Sequence, residues 1–152
     1  QPLTLAYPTL LPGFQAPSLR VYTVYTVMAE KYHAMVMLGQ ANSRMKDFYD
    51  LAVIAQRSPL DGATLAAAIT ATFARRQTPL PTERPLALTA ALGVDPAKQR
   101  QWQAFLNKNR ITAAGLPDTV ALLDTLLWPA TLVAASQSDA TATWQPASAR
   151  WA

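Results

Sequence analysis

Apolar positions between Thr26 and Leu38 recur with helical spacing. At roughly 100° per residue, Val27, Lys31, Ala34, Met35 and Leu38 share one stripe, and Gly39 supplies the left-handed residue that ends such a helix. Asn42 or Ser43 can accept the first free amides of a second helix, from about Arg44 to Gln56, which Ser58-Pro59 stops. Asp61 caps a third, through about Arg75, in which Ala66, Ala67, Ala68 and Ile69 give good propensity and a small-residue packing face. Gln77 to Pro85 holds Pro79, Pro81 and Pro85 and reads as a loop, followed by a short apolar turn at Leu86 to Leu92. Asp95-Pro96 opens a fourth helix that runs to about Asn109, with Trp102, Phe105 and Leu106 on its core side. Gly115, Pro117 and Asp118 announce a fifth, where Val120, Leu123, Leu126 and Leu127 form the buried stripe before Pro129 breaks or kinks it.

The flanks read differently. Residues 1 to 18 hold Pro2, Pro8, Pro12 and Pro17 and suit an extended or irregular arm. Leu19 to Val24, enriched in β-branched and aromatic residues, suits one short strand whose partner would lie upstream of Gln1. From Ser136 onward the chain is Ala, Ser, Thr and Gln, a flexible tail with Trp144 and Trp151 as its anchors. The expectation is a mainly α protein: an arm over 1–18, a bundle of about five helices with one N-terminal strand over 19–135, and a tail over 136–152.

Composition narrows the chemistry. Hydrophobic residues are 51% of the 152, enough for a sizeable core, and a net charge of +4 permits an acidic partner such as RNA without demanding one. With no cysteine and His33 as the single histidine, disulfides, thiolate metal sites, cysteine nucleophiles and histidine zinc clusters drop out, and no metal ligands are assigned. The longest apolar run, Val120 to Ala135, is interrupted by Asp124 and Pro129 and falls short of the roughly 20 residues of a spanning helix, so a cytoplasmic protein is expected.

Lys31, in the middle of an apolar stripe, has two readings. It snorkels at the rim of the core, pairing with Glu30 or a carboxylate on the next helix, or it aims an ammonium at phosphate. The second helix opens with Arg44, Lys46, Asp47 and Asp50, a density of charge unusual in this chain. Asp47 follows the face of Leu51 and Ile54 and is expected to point inward, paired with Arg44 or Lys31, whereas Lys46 and Asp50 suit an i, i+4 pair in solvent. His33 falls on the opposite side of its helix from Lys31 and takes no role. Arg75-Arg76, Lys98, Arg100, Lys108 and Arg110 sit near helix ends, where they complement helix dipoles or track a nucleic-acid backbone.

The run Ala29-Glu30-Lys31, followed by Arg44-Met45-Lys46-Asp47-Phe48-Tyr49-Asp50, resembles the Ala-Glu-Lys and Arg-x-Lys-Asp-x-x-Asp motifs in the C-terminal half of the AbiEii/AbiGii toxin family of nucleotidyltransferases. The likeness extends over about residues 15 to 130, through Asp61-Gly62-Ala63-Thr64 and Asp95 to Leu106. It implies the C-terminal part of an α+β nucleotidyltransferase fold, a nucleoside triphosphate with Mg2+ as cofactors, RNA (tRNA in some members) as acceptor, a cognate antitoxin and a place in phage defence. It further implies that Lys31 and Asp47 are the catalytic pair, with Glu30, Arg44, Lys46 and Asp50 in support. Two positions depart from the family: Tyr25 stands where a glutamate is frequent, and nothing between Gln1 and Leu19 resembles its Gly-Ser and paired-carboxylate motifs. The expectation is a chain incomplete as a catalyst, missing an N-terminal nucleotidyltransferase core. The rival expectation is a non-catalytic helical module, a truncated toxin that binds an antitoxin or RNA.

Overall fold

The structure is a computed structural model that describes the backbone of residues 15–136 and 142–152 and the side chains of those from Val24 on. It is mainly helical. Among the described residues six α-helices run in chain order: α1 (Gln15–Leu38), α2 (Met45–Arg57), α3 (Gly62–Arg75), α4 (Ala90–Val94), α5 (Pro96–Asn109) and α6 (Leu116–Ser136). Short 3-10 turns at Gly39–Ala41 and Leu86–Leu88 join α1 to α2 and lead into α4. Strands β1 (Leu60–Asp61), β2 (Thr143–Gln145) and β3 (Arg150–Trp151) form one small antiparallel sheet in that order.

Local chemistry sets most of these boundaries. Gly39 ends α1 at φ 50°, in the region that costs other residues most. The Asp61 carboxylate accepts the Thr64 amide at 2.9 Å and that of Asp95 accepts the Lys98 amide at 2.9 Å, starting α3 and α5. Pro96 takes the first helical position, where no amide is needed. Arg44, the residue before α2, makes no side-chain cap; its own amide donates to Asn42 Oδ1 at 2.8 Å.

The strand expected at Leu19 to Val24 is helix instead, and so are residues 15–18 of the expected arm. β-Branched residues favour strands only weakly and in context, while extending an existing helix adds a hydrogen bond for each residue fixed. Pro17 lies in the first turn, whose amides have no partner within the helix, so it does not stop it. The rest of the arm, residues 1–14, lies outside the described residues.

α6 is the centre of the bundle, packing on α2, α3 and α4, while α1 lies along α3. Its buried residues run from Leu116 to Ala134, well beyond the expected stripe. By length and composition this 21-residue helix could cross a membrane, which the shorter apolar run had argued against. It is not broken at Pro129, which lies inside it. The missing amide of Pro129 leaves the Thr125 carbonyl without its helical donor, and nearby two side chains bond the same turn: Trp151 Nε1 donates to Leu126 O at 3.1 Å and Thr131 Oγ1 to Leu127 O at 2.7 Å. Thr131 also bonds Tyr32 OH at 2.8 Å, tying α6 to α1; burial, opposed by that bond and aided by the Asp124 charge, pushes the Tyr32 phenol up to about 12.

Residues 142–152 of the expected flexible tail are built into the fold. β2 pairs with β1 through Leu60 and Trp144, and Thr143 and Ala152 exchange both backbone hydrogen bonds at 2.8 and 3.0 Å. Trp144 is fully buried, its Nε1 donates to Ala55 O at 2.8 Å, and its ring meets Trp151 edge-on. The anchoring expected of both tryptophans is therefore present; residues 137–141 lie outside the described residues.

Candidate functional site

The buried face of α1 is Tyr25, Met28, Ala29, Tyr32 and Met35, one step round from the stripe read in the sequence. That shift sets Lys31 at the rim, with its side chain 21% exposed, facing the start of α2 across the 3-10 turn. Lys31 Nζ donates to Asp47 Oδ1 at 3.1 Å and lies 3.0 Å from Asp50 Oδ2. Lys46 Nζ reaches the same Asp50 oxygen at 2.6 Å. Arg44 Nε stands 3.2 Å from Asp47 Oδ2 but is not aligned to donate, so that buried oxygen accepts no hydrogen bond. Five of the six expected site residues thus form one cluster, at the first turns of a helix whose N-terminus favours negative charge.

Three cations, Lys31, Arg44 and Lys46, surround two carboxylates, which leaves one positive charge net. Desolvation works against the Lys31 ammonium, but the bonds it donates to Asp50 and Asp47, with their charges, outweigh it and hold its pKa above the usual value. Burial likewise opposes ionisation of Asp50, yet Lys46 and Lys31 bring its pKa below the carboxylate norm. Lys31 is therefore held as an ammonium between two carboxylates, whereas Arg44 and Lys46, each paired with one carboxylate, have side chains 59% and 72% exposed.

Glu30 does not join the cluster. It turns to the end of α3, where Arg75 Nη2 and Arg76 Nη2 donate to it at 2.6 and 2.7 Å. Burial opposes its ionisation, and the two arginines overcome that to lower its pKa. Tyr25 is buried, and its OH accepts the Asp61 amide at 2.8 Å.

His33 lies on that same side, 2.8 Å from Thr78 Oγ1 and edge-on to Phe73. Burial and the Arg76 charge push its pKa below the ordinary 6.5 against the pull of Glu30. The unfolded chain then binds this proton more readily, so stability is full above 6.5 and declines as pH falls towards the folded value. Urea midpoints at about pH 5.5 and 7.5 are expected to differ more for the wild type than for His33→Gln. Asp50 and Glu30 act lower: their stabilisation is complete above the ordinary carboxylate values and is lost as pH falls through the depressed ones.

Lys98 was read in the sequence as a helix-end cation, but it is only 3% exposed, with Nζ donating to Asn42 O at 2.6 Å and to Gln101 Oε1 at 3.2 Å. Its spacing to Trp102 and Leu106, four and eight residues on, was the available signal that it shares their inward face.

The charge balance of the cluster does not favour a metal ion. Both carboxylates already face cations, and among the described residues no group of three or more metal-ligating side chains converges. The donors present do not make a magnesium site.

The fold is mainly helical, with three cations and two carboxylates gathered at the start of α2, and the comparison of the sequence with known families places it. The family model described as Nucleotidyl transferase AbiEii toxin, Type IV TA system, matches residues 1–124. The chain belongs to this family of toxins from type IV toxin–antitoxin systems, which implies an antitoxin as its counterpart. No curated protein and no solved structure matches it.

Proposed function

We propose that Lys31, Arg44 and Lys46 receive the triphosphate of a nucleoside triphosphate in nucleotide transfer to RNA, with tRNA as the acceptor class. The observation that carries this reading is the convergence of three cations on the start of α2, Lys31 from α1, Lys46 from α2 and Arg44 from the residue before it. In such a transfer an RNA hydroxyl oxygen bonds to the α-phosphorus, the bond to the β-phosphate oxygen breaks, the hydroxyl proton is lost and pyrophosphate departs. Lys31 and its neighbours neutralise the charge that builds on the leaving phosphates. Asp47 and Asp50 hold the Lys31 ammonium in place, and Asp47 orients the acceptor side. Phosphoryl transfer of this kind uses magnesium held by carboxylates. The Lys31 cluster does not supply them, so in this reading they belong to an N-terminal nucleotidyltransferase core and this chain is the phosphate-binding half of the catalyst.

Labelling of tRNA from an α-phosphate-labelled triphosphate tests the proposal. The chain alone is expected to label at background, and together with such a core to label in a way that Lys31→Ala or Asp47→Ala abolishes. Strong magnesium-dependent labelling by the chain alone contradicts its incompleteness. Labelling by the combination that survives both substitutions contradicts the site.

A further inference from the structure

A buried lysine ordinarily finds a carboxylate, because an ammonium removed from water is costly unless paired. Lys98 is 3% exposed and forms no ion pair among the described residues. Its two acceptors are neutral: the carbonyl of Asn42 at 2.6 Å and Oε1 of Gln101 at 3.2 Å. Its backbone is held as well, since its amide is the one that Asp95 caps.

What this ammonium grips is the approach to the candidate site. Asn42 is itself 1% exposed and follows the 3-10 turn, its amide donating to Gly39 O at 3.1 Å. Its Oδ1 accepts the Arg44 amide at 2.8 Å, and α2 begins at the next residue. The path is short and made of direct bonds: Lys98 Nζ to the Asn42 carbonyl, the Asn42 side chain to the Arg44 amide, then Arg44 and Asp47 in the cluster. α5 and α2 also meet through Phe105 and Tyr49, with centroids 5.7 Å apart, so the helix that carries Lys98 is braced against the helix it positions.

We propose that Lys98 is a positioning residue for the phosphate site, fixing Asn42 and through it Arg44 at the start of α2. The inference rests on the phosphate reading of the Lys31 cluster. Charge-assisted bonds are the stronger kind, and losing one that sets the helix start loosens Arg44 without removing any group that touches the ligand.

The chain has no cysteine, so Lys98→Cys creates a unique thiol, and aminoethylation in denaturant followed by refolding rebuilds a lysine-like ammonium at that position. Lys98→Met, similar in length and apolar, is the second variant should the cysteine form fold poorly. Two readouts are taken: hydrogen exchange at the Arg44 amide in the free protein, and affinity for Mg·ATP by calorimetry. The expected result is about tenfold faster exchange and about tenfold weaker binding in Lys98→Met, with both restored by aminoethylated Lys98→Cys. Leu106→Ala, which destabilises the same helix through packing alone, is expected to leave both nearly unchanged. Wild-type exchange and affinity in Lys98→Met overturn the proposal, as does a loss in Lys98→Met that Leu106→Ala reproduces. If the wild type itself binds no Mg·ATP while Arg44 exchange still responds to Lys98, the phosphate reading fails and the contact from Lys98 to the start of α2 stands.

Discussion

Lys31→Ala is expected to weaken binding of Mg·ATP by about 10- to 100-fold, the range set by a hydrogen bond to a charged group at roughly 1.5–3 kcal/mol. Lys31 is the cation of the cluster that contacts both carboxylates and is least exposed, and its loss turns a net positive charge into zero at the mouth of α2. Lys46, with its side chain 72% exposed, is expected to matter far less when replaced by alanine. Asp47→Asn separates charge from damage to the fold. It removes a carboxylate that competes for Lys31 and Arg44, so triphosphate binding is expected to hold or strengthen while transfer to RNA is lost. Calorimetric titration of the three variants checks the order. Equal losses in all of them would point to a general loosening of the α1–α2 hairpin.

Trp144→Ala is expected to lower the unfolding free energy by about 3–5 kcal/mol, as for other large-to-small changes at buried tryptophans. The side chain is fully buried, its Nε1 donates to Ala55 O, and its strand holds the rest of the sheet on β1. Trp144→Phe retains most of the packing and loses the hydrogen bond, for about 1–2 kcal/mol. Urea unfolding followed through the tryptophans measures both. Because Ala55 belongs to α2, the alanine variant is also expected to loosen the helix that carries Asp47 and Asp50. A loss below about 1 kcal/mol in Trp144→Ala would show that residues 142–152 are not part of the core.

Much of this was legible in the chain because it is written in short-range chemistry. Asp61, Asp95-Pro96 and Gly39 act within a turn or two of themselves, and the helices they bound appear where expected. The pairs of Asp47 with Lys31 and Arg44, and of Lys46 with Asp50, follow from helical spacing and one hairpin. Three things were hidden, the last two for a long-range reason. The helix through Leu19 to Val24 overrides the strand preference of its residues. The tail hairpin depends on a strand of two residues at Leu60–Asp61, too short to announce itself, more than 80 positions upstream of Thr143. Glu30 is drawn from the cluster by Arg75 and Arg76, 45 and 46 residues away, which no local pattern connects to it.

The most direct test of the phosphate site is an amide chemical-shift map of the chain titrated with Mg·ATP. The largest changes are expected at Arg44, Lys46, Asp47 and Phe48 and around Lys31, with little at Glu30, Arg75 and Arg76. Changes concentrated at the arginines of α3 or at Arg100, Lys108 and Arg110, or no change at all, would contradict the account.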